Sequence, residues 1–297
     1  QWSSDGEFNI SNLIERCLKN DIELFSITDH NSVKGNQDAA LLAQETKIDF
    51  IPGIEIDCIY QWINLHVLGY HINYQSDDFV KLEEDVFSKV MNSFDAMIRN
   101  IRQLDFKIDA DTVLAQSGGK EPTGELIAEV MLSDEKYHTP LLLPYMPGGE
   151  RSDMPYINFY LDYFAQGKPA YVPINFISFS EAIQLIKKNG GIPIVAHPGL
   201  NLKGKEYMVE ELLDEGAEGL EVFNNYHTME QINYFASVVQ NRKVIMTCGS
   251  DFHGKTKPLI EIGKFNFDTQ YEEYLVKSLQ SLTKKKSWIT TSTNNSM

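Results

Sequence analysis

A parallel α/β sheet or barrel interrupted by a helical insertion is the fold that the sequence predicts. Short apolar runs alternate with helical patterns from residue 11 to residue 70, and the same rhythm returns after residue 178. Between about 74 and 170 the alternation lapses into long helical patterns and a loop rich in proline and glycine. Strands that alternate with helices form parallel sheets because each crossover helix carries the chain back to the end of the sheet where the previous strand began.

The elements follow in order. Ser11 can cap a helix whose apolar positions Leu13, Ile14, Cys17 and Leu18 recur at helical spacing. The run from Glu23 to Thr28 reads as a strand and ends in Asp29-His30. A helix around 36–46 precedes a second run, Ile48 to Ile51, closed by Pro52-Gly53. Ile54 to Tyr60 and Leu65 to Tyr70 read as two further strands. One charged helical pattern covers 77–104 and another covers 123–133, followed by the aromatic segment Tyr156 to Phe164. This stretch reads as an insertion packed over the mouth of the core.

After it come a helix over 180–189 stopped by Gly190-Gly191, and a strand, Ile192 to Ala196, ending in His197-Pro198. A helix near 206–215 leads to the strand Gly219 to Phe223, and one near 229–241 leads to Val244 to Thr247. That last strand runs into Gly249-Ser250-Asp251-Phe252-His253, and a final helix spans 269–283.

Composition narrows the function. The chain of 297 residues carries a formal net charge of −16, which disfavours long polyanions but leaves room for a small phosphorylated molecule beside bound cations. No apolar run is long enough to span a bilayer, and no basic-then-apolar leader stands at the front. Cys17, Cys58 and Cys248 form no CxxC pair and read as buried or half-buried thiols in a reducing cytoplasm.

Four of the seven histidines occupy related places. His30, His197 and His253 follow the ends of predicted strands, and His66 begins or lies within one. Asp29, Glu55 and Asp251 lie in the same kind of position. In a β/α barrel the C-terminal strand ends meet on one face, so these distant residues would converge. A cluster of histidine and carboxylate without cysteine suits zinc, manganese or iron, and a bridging carboxylate permits a multi-metal site.

The segments SDGE, ITDHNSVKG, IPGIEI, HVLGY, GGIPIVAHPG and CGSDFHG stand in the order seen in phosphoesterases of the PHP (polymerase and histidinol phosphatase) family. The helical middle resembles the insertion of the subfamily acting on small nucleotides such as AMP or nucleoside bisphosphates. The resemblance implies a distorted TIM-like barrel of seven β/α units. Its first part would be residues 1–73, its helical insertion or lid 74–170 and its second part 171–297.

It also implies up to three divalent ions. Asp5, His30 and His253 would hold one. Glu55 would bridge to a second, shared with His66 and His197, and Asp251 with Glu55 would contribute to the third. Asp29 resembles a carboxylate that orients its ligating neighbours. The family's His-x-His pair would fall just before Gln1, so the sequence reads as cut at its front. Where the nucleotide phosphatases carry a Thr-Arg-x-His motif, this chain has Thr123-Gly124-Glu125-Leu126.

Arg151 and Lys168 flank the aromatic segment and are candidate phosphate contacts, as is His227 at another strand end. His71 reads as a turn residue and His138 as a loop residue facing solvent. Three activities fit these residues. The first is hydrolysis of a phosphate ester of a small metabolite or nucleotide by a metal-bound hydroxide. The others are a non-catalytic scaffold that binds metal or nucleotide, and an exonuclease acting on short oligonucleotides. The oligomeric state is left open.

Overall fold

The computed structural model describes residues 7–46 and 48–284. Its elements in chain order are α1 (Ile10–Lys19), β1 (Leu24–Ile27), α2 (Asn36–Thr46), β2 (Asp49–Tyr60) and β3 (Ile63–Tyr70). Then come the insertion helices α3 (Asp77–Gln103), α4 (Ala110–Ser117), α5 (Gly124–Ser133) and α6 (Pro155–Tyr163). The remainder is β4 (Ile177–Ser178), α7 (Phe179–Lys188), β5 (Ile192–Val195), α8 (Pro198–Asn201), α9 (Val209–Asp214), β6 (Gly219–Phe223), α10 (Met229–Arg242), β7 (Ile245–Cys248) and α11 (Glu272–Lys284).

The strands form one seven-stranded sheet in the order β1-β2-β3-β5-β6-β7, with β4 pairing β2. The fold is mixed α/β with a curled sheet, which corrects the expectation of parallel pairing throughout. β3 is antiparallel to both β2 and β5, while the other pairings are parallel. Gln61 and Trp62 explain the reversal. Both have positive φ, 46° and 69°, the geometry of a two-residue hairpin turn whose twist matches that of its strands. The reversal has a functional consequence. β3 starts on the face where the other strands end, so His66, early in β3, reaches the face that His30 and His197 occupy.

β2 is one continuous strand through Pro52-Gly53, where two runs were expected. Gly53 makes this possible: a Cβ there would collide with the Ser26 hydroxyl on β1 and with the methyl of Thr28 just beyond it. The buried Asn36 amide clamps the crossing, donating to Gly53 O at 2.9 Å and accepting from Gly53 N at 2.8 Å. At the front, Asn9 rather than Ser11 caps α1, its side-chain oxygen accepting from Asn12 N at 2.9 Å.

Two cores meet along α3. Phe79, Leu82, Val86 and Val90 on its first half pack with the sheet residues Ile54, Val67 and Leu220. Phe94, Met97, Ile98 and Ile101 on its second half pack with Ile127, Met131, Leu142 and Phe159 of the insertion. The insertion also reaches the strand-end face. Gln166 holds the β2–β3 hairpin, accepting from Asn64 N at 3.2 Å and donating to Trp62 O at 2.5 Å. Lys255, two residues beyond His253, pairs with Glu129 of α5 at 2.5 Å. Among the described residues no helix is long and apolar enough to cross a membrane.

Candidate metal centre

Glu55 lies at the middle of the cluster. It faces inward from β2 and is 4% exposed. Its Oε1 is 2.8 Å from His66 Nδ1 and 2.9 Å from His197 Nε2. Burial pushes the Glu55 pKa up. The positive charge of His30 and hydrogen bonds from His197 and His66 outweigh that and hold it well below the usual carboxylate range. An isolated β-bridge aligns His30 with Glu55, and backbone bonds from Asn31 N to Glu55 O and from Glu55 N to Asp29 O fix the register.

A second carboxylate, Asp57, stands two residues along the same strand and therefore on the same face. Its Oδ1 is 3.1 Å from His30 Nδ1 and 3.2 Å from His66 Nε2, and its Oδ2 accepts from Asn31 Nδ2 at 2.7 Å. The ligand atoms of His30, Asp57 and His66 lie within 4.8 Å of one another, as do those of Glu55, His66 and His197. The rings of His30 and His66 are 4.9 Å apart and those of His66 and His197 are 5.0 Å apart. His253 adjoins this row, its ring 6.1 Å from that of His30.

The donor chemistry fits divalent cations. A neutral imidazole has one N–H and one lone pair. His197 Nδ1 is 2.6 Å from Asn201 Oδ1, and that amide is oriented because its Nδ2 donates to Asn64 O at 3.1 Å. Nδ1 therefore carries the hydrogen, and Nε2 would turn a lone pair toward Glu55 unless a proton or a cation lies between them. Burial lowers the His197 pKa, but its hydrogen bond and charge interaction with Glu55 override this and raise it to about 9. His66 has the same difficulty, with an acceptor oxygen at each ring nitrogen. Clusters that require positive charge between carboxylate and imidazole suit metals bound by N and O donors. Thiols do not compete: burial pushes Cys248 up to about 12, and Cys58 donates to Leu65 O inside the core.

His197 is held by more than its ring. Its backbone adopts φ 23°, and its N–H donates to Glu221 Oε2 at 2.8 Å. Burial pushes Glu221 up to about 7. Asp251 also has positive φ, 54°, and strained backbone gathered at one site points to function. Asp251 Oδ2 accepts from Tyr226 at 2.7 Å and from Lys257 at 2.6 Å, while Oδ1 lies 3.5 Å from His253 Nδ1. His30, Glu55, His197, Glu221, Asp251 and His253 all line a cavity of about 500 Å³ that opens between β1 and the segment 248–265.

Six of the seven residues expected to hold metal thus border one site: His30, Glu55, His66, His197, Asp251 and His253. Asp5, with the expectations for the chain's first residues, lies outside the described residues. Asp29 is buried beside His30. Three other expectations meet different surroundings. His227 is buried with both ring nitrogens engaged: its Nδ1 donates to Val222 O at 2.8 Å and its Nε2 accepts from Gly199 N at 3.0 Å. Burial lowers it to about 4, so it is a neutral brace for Gly199, two residues beyond His197. The Arg151 fork is occupied by Asp162 at 3.0 and 3.1 Å. Lys168 is exposed. His71 braces α11 through Leu282 O, and His138 is tied to Leu132 O at 3.2 Å, only half-exposed instead of facing open solvent.

The Thr123-Gly124-Glu125-Leu126 segment is used for packing. Thr123 caps α5, Leu126 is buried, and a Cβ on Gly124 would strike the rings of Phe164 and Tyr160.

No model of a known protein family matches the chain. Similarity to individual proteins is extensive. The chain is 24% identical over 254 residues to a 3',5'-nucleoside bisphosphate phosphatase of Chromobacterium violaceum, with 84% of each chain covered. It is 25% identical over 289 residues to the 5'-3' exoribonuclease Rnm of Salmonella typhimurium, covering 88% of this chain and 85% of that one. The resemblance to the PHP phosphoesterases stands. A phosphoribosyl 1,2-cyclic phosphate 1,2-diphosphodiesterase of Eggerthella lenta is 21% identical, over 88% of this chain and 94% of its own. In fold, the chain matches a Bifidobacterium adolescentis protein described as a metal-dependent phosphoesterase, with a TM-score of 0.71, 23% identity and 92% of each chain covered.

The arrangement around His197 gives a direct expectation. Asn201→Leu removes the group that fixes its tautomer, and divalent-metal affinity measured by calorimetry falls about 10- to 100-fold. Asn201→Asp, which still accepts from Nδ1, retains affinity. Equal affinity in wild type and Asn201→Leu would show that the tautomer is set elsewhere.

Proposed function

We propose that this chain is a metal-dependent phosphoesterase that hydrolyses a phosphate ester of a small phosphorylated metabolite or nucleotide. The observation that carries the reading is Glu55, buried between His66 and His197 with Asp57 and His30 adjoining. A phosphate dianion cannot approach Glu55, Asp57 and Asp251 unless their charge is offset. Zinc, manganese or iron, up to three ions held by His30, Glu55, Asp57, His66, His197, Asp251 and His253, would supply positive charge for the phosphoryl oxygens and for activating water.

The protein's own contribution is placement. Asn201 and Glu221 aim His197, Asn31 aims Asp57, and Tyr226 aims Asp251. The insertion helices act as a lid over the strand-end face and exclude bulk water. In the net reaction water oxygen bonds to phosphorus, the ester P–O bond breaks, and the leaving oxygen takes a proton.

A second reading, exonuclease action on short oligoribonucleotides, is favoured by the similarity to Rnm. The test is elemental analysis of the purified chain with a screen of nucleoside bisphosphates, monophosphates, cyclic phosphodiesters and short oligoribonucleotides. The expected outcome is phosphate release from a small substrate, lost on chelation and restored by manganese or zinc. Metal-loaded protein that releases nothing from any of them would leave the scaffold reading. Faster release of mononucleotides from oligoribonucleotides would select the nuclease.

A further inference from the structure

The Arg151 fork is paired with Asp162, yet the site has a cation of its own. Lys257 is, among the described residues, the one buried lysine or arginine. It lies six residues beyond Asp251, on the loop that follows β7. Its ammonium is 2.6 Å from Asp251 Oδ2, and the Tyr226 ring centroid is 5.4 Å away. Tyr226 in turn packs edge-on against His197, with ring centroids 6.0 Å apart. The stem is fixed by the turn in which Lys257 N donates to Gly254 O at 3.0 Å.

Burying an ammonium is costly and is normally repaid by a carboxylate committed to it. On the phosphoesterase reading Asp251 is not committed to Lys257 alone, because its other oxygen, 3.5 Å from His253 Nδ1, would be a metal ligand. With Asp251 neutralised by bound cations, Lys257 would be an excess positive charge, enclosed against solvent and held by Asp251 and Tyr226. Lysine binds phosphate as a compact point charge in such settings.

We propose that Lys257 is the protein-supplied cation that binds the substrate's phosphate, held ready by Asp251 and Tyr226. The inference rests on the phosphoesterase reading. It makes phosphate recognition a property of the loop beyond His253, not of the insertion. Neighbouring Lys255 ties that same loop to Glu129 of the insertion.

The test is calorimetric titration of inorganic phosphate into manganese-loaded wild type, Lys257→Met and Lys257→Arg, with manganese stoichiometry measured on each. Lys257→Met is expected to weaken phosphate binding about 10- to 100-fold, the worth of one charge-assisted hydrogen bond. Lys257→Arg is expected to recover part of it, with manganese content unchanged in both. Undiminished phosphate affinity in Lys257→Met overturns the proposal. So does parallel loss of manganese, which would make Lys257 a positioning residue for Asp251. Wild type that binds no phosphate at all would instead remove the phosphoesterase reading beneath it.

Discussion

Glu55→Ala is expected to cut turnover severely and to lose the ion between His66 and His197. Its Oε1 is the atom on which His66 and His197 converge, so no other side chain can take its place. The substitution leaves two imidazoles facing a void, and cations held by the flanking groups would repel each other across a low-dielectric cavity without the intervening charge. The expected loss in kcat is about a thousandfold or more, comparable with removing a preorganised electrostatic stabiliser. Arg151→Ala or Lys168→Ala, by contrast, should leave turnover within a few-fold of wild type, since Arg151 serves Asp162 and Lys168 is exposed. Steady-state phosphate release and elemental analysis on the three variants decide it. A Glu55→Ala protein that keeps both its metals and its rate would place the chemistry elsewhere.

The parts of the site that were legible in the sequence are those fixed by chain direction. A histidine or carboxylate just past a strand must lie at that strand's end, and strands running the same way bring their ends to one face. His30, His197, Asp251 and His253 needed nothing more. His66 was visible as a histidine but not as a hairpin residue. Gln61-Trp62 is not among the Asn-Gly or Asp-Gly pairs that announce a type I′ turn. Without the hairpin there was no register, and without the register Asp57↔His66 could not be seen as partners. Alternation alone would have put Asp57 beside Glu55.

The residues that support the ligands were less legible for a different reason. Asn201 and Glu221 act through hydrogen bonds that depend on side-chain direction, and Lys257 meets Asp251 because a loop folds back. No periodicity encodes such contacts. The reverse error arose for Arg151 and His227. Each has a residue type suited to phosphate, but side chains with strong donors and acceptors are equally sought by the core. Asp162 claimed the one, and Gly199 with Val222 claimed the other. Gly124 illustrates the same competition, since the α5–α6 contact admits no side chain there.

Asp57→Asn should remove one metal ion while leaving the fold and the Glu55 group in place. His66 stands between Glu55 Oε1, 2.8 Å from its Nδ1, and Asp57 Oδ1, 3.2 Å from its Nε2. A neutral ring can donate to only one of them, so the other contact repels unless positive charge intervenes. In Asp57→Asn the amide can donate to the ring nitrogen, and the demand for a cation there vanishes. Asn31 can still hold the remaining oxygen, so the substitution is close to isosteric and unfolding is not expected. The burial of Asp57 raises its pKa, but His30 and His66 charges lower it further, so the position is ionised at neutral pH and the change removes a full charge. Manganese stoichiometry should drop by one, and turnover should fall about a hundredfold if that ion contacts the phosphoryl group. Elemental analysis beside Glu55→Ala separates the two positions, because Glu55→Ala loses the ion between His66 and His197 whereas Asp57→Asn keeps it. Unchanged stoichiometry in Asp57→Asn would mean that Asp57 only orients His30 and His66 and ligates nothing.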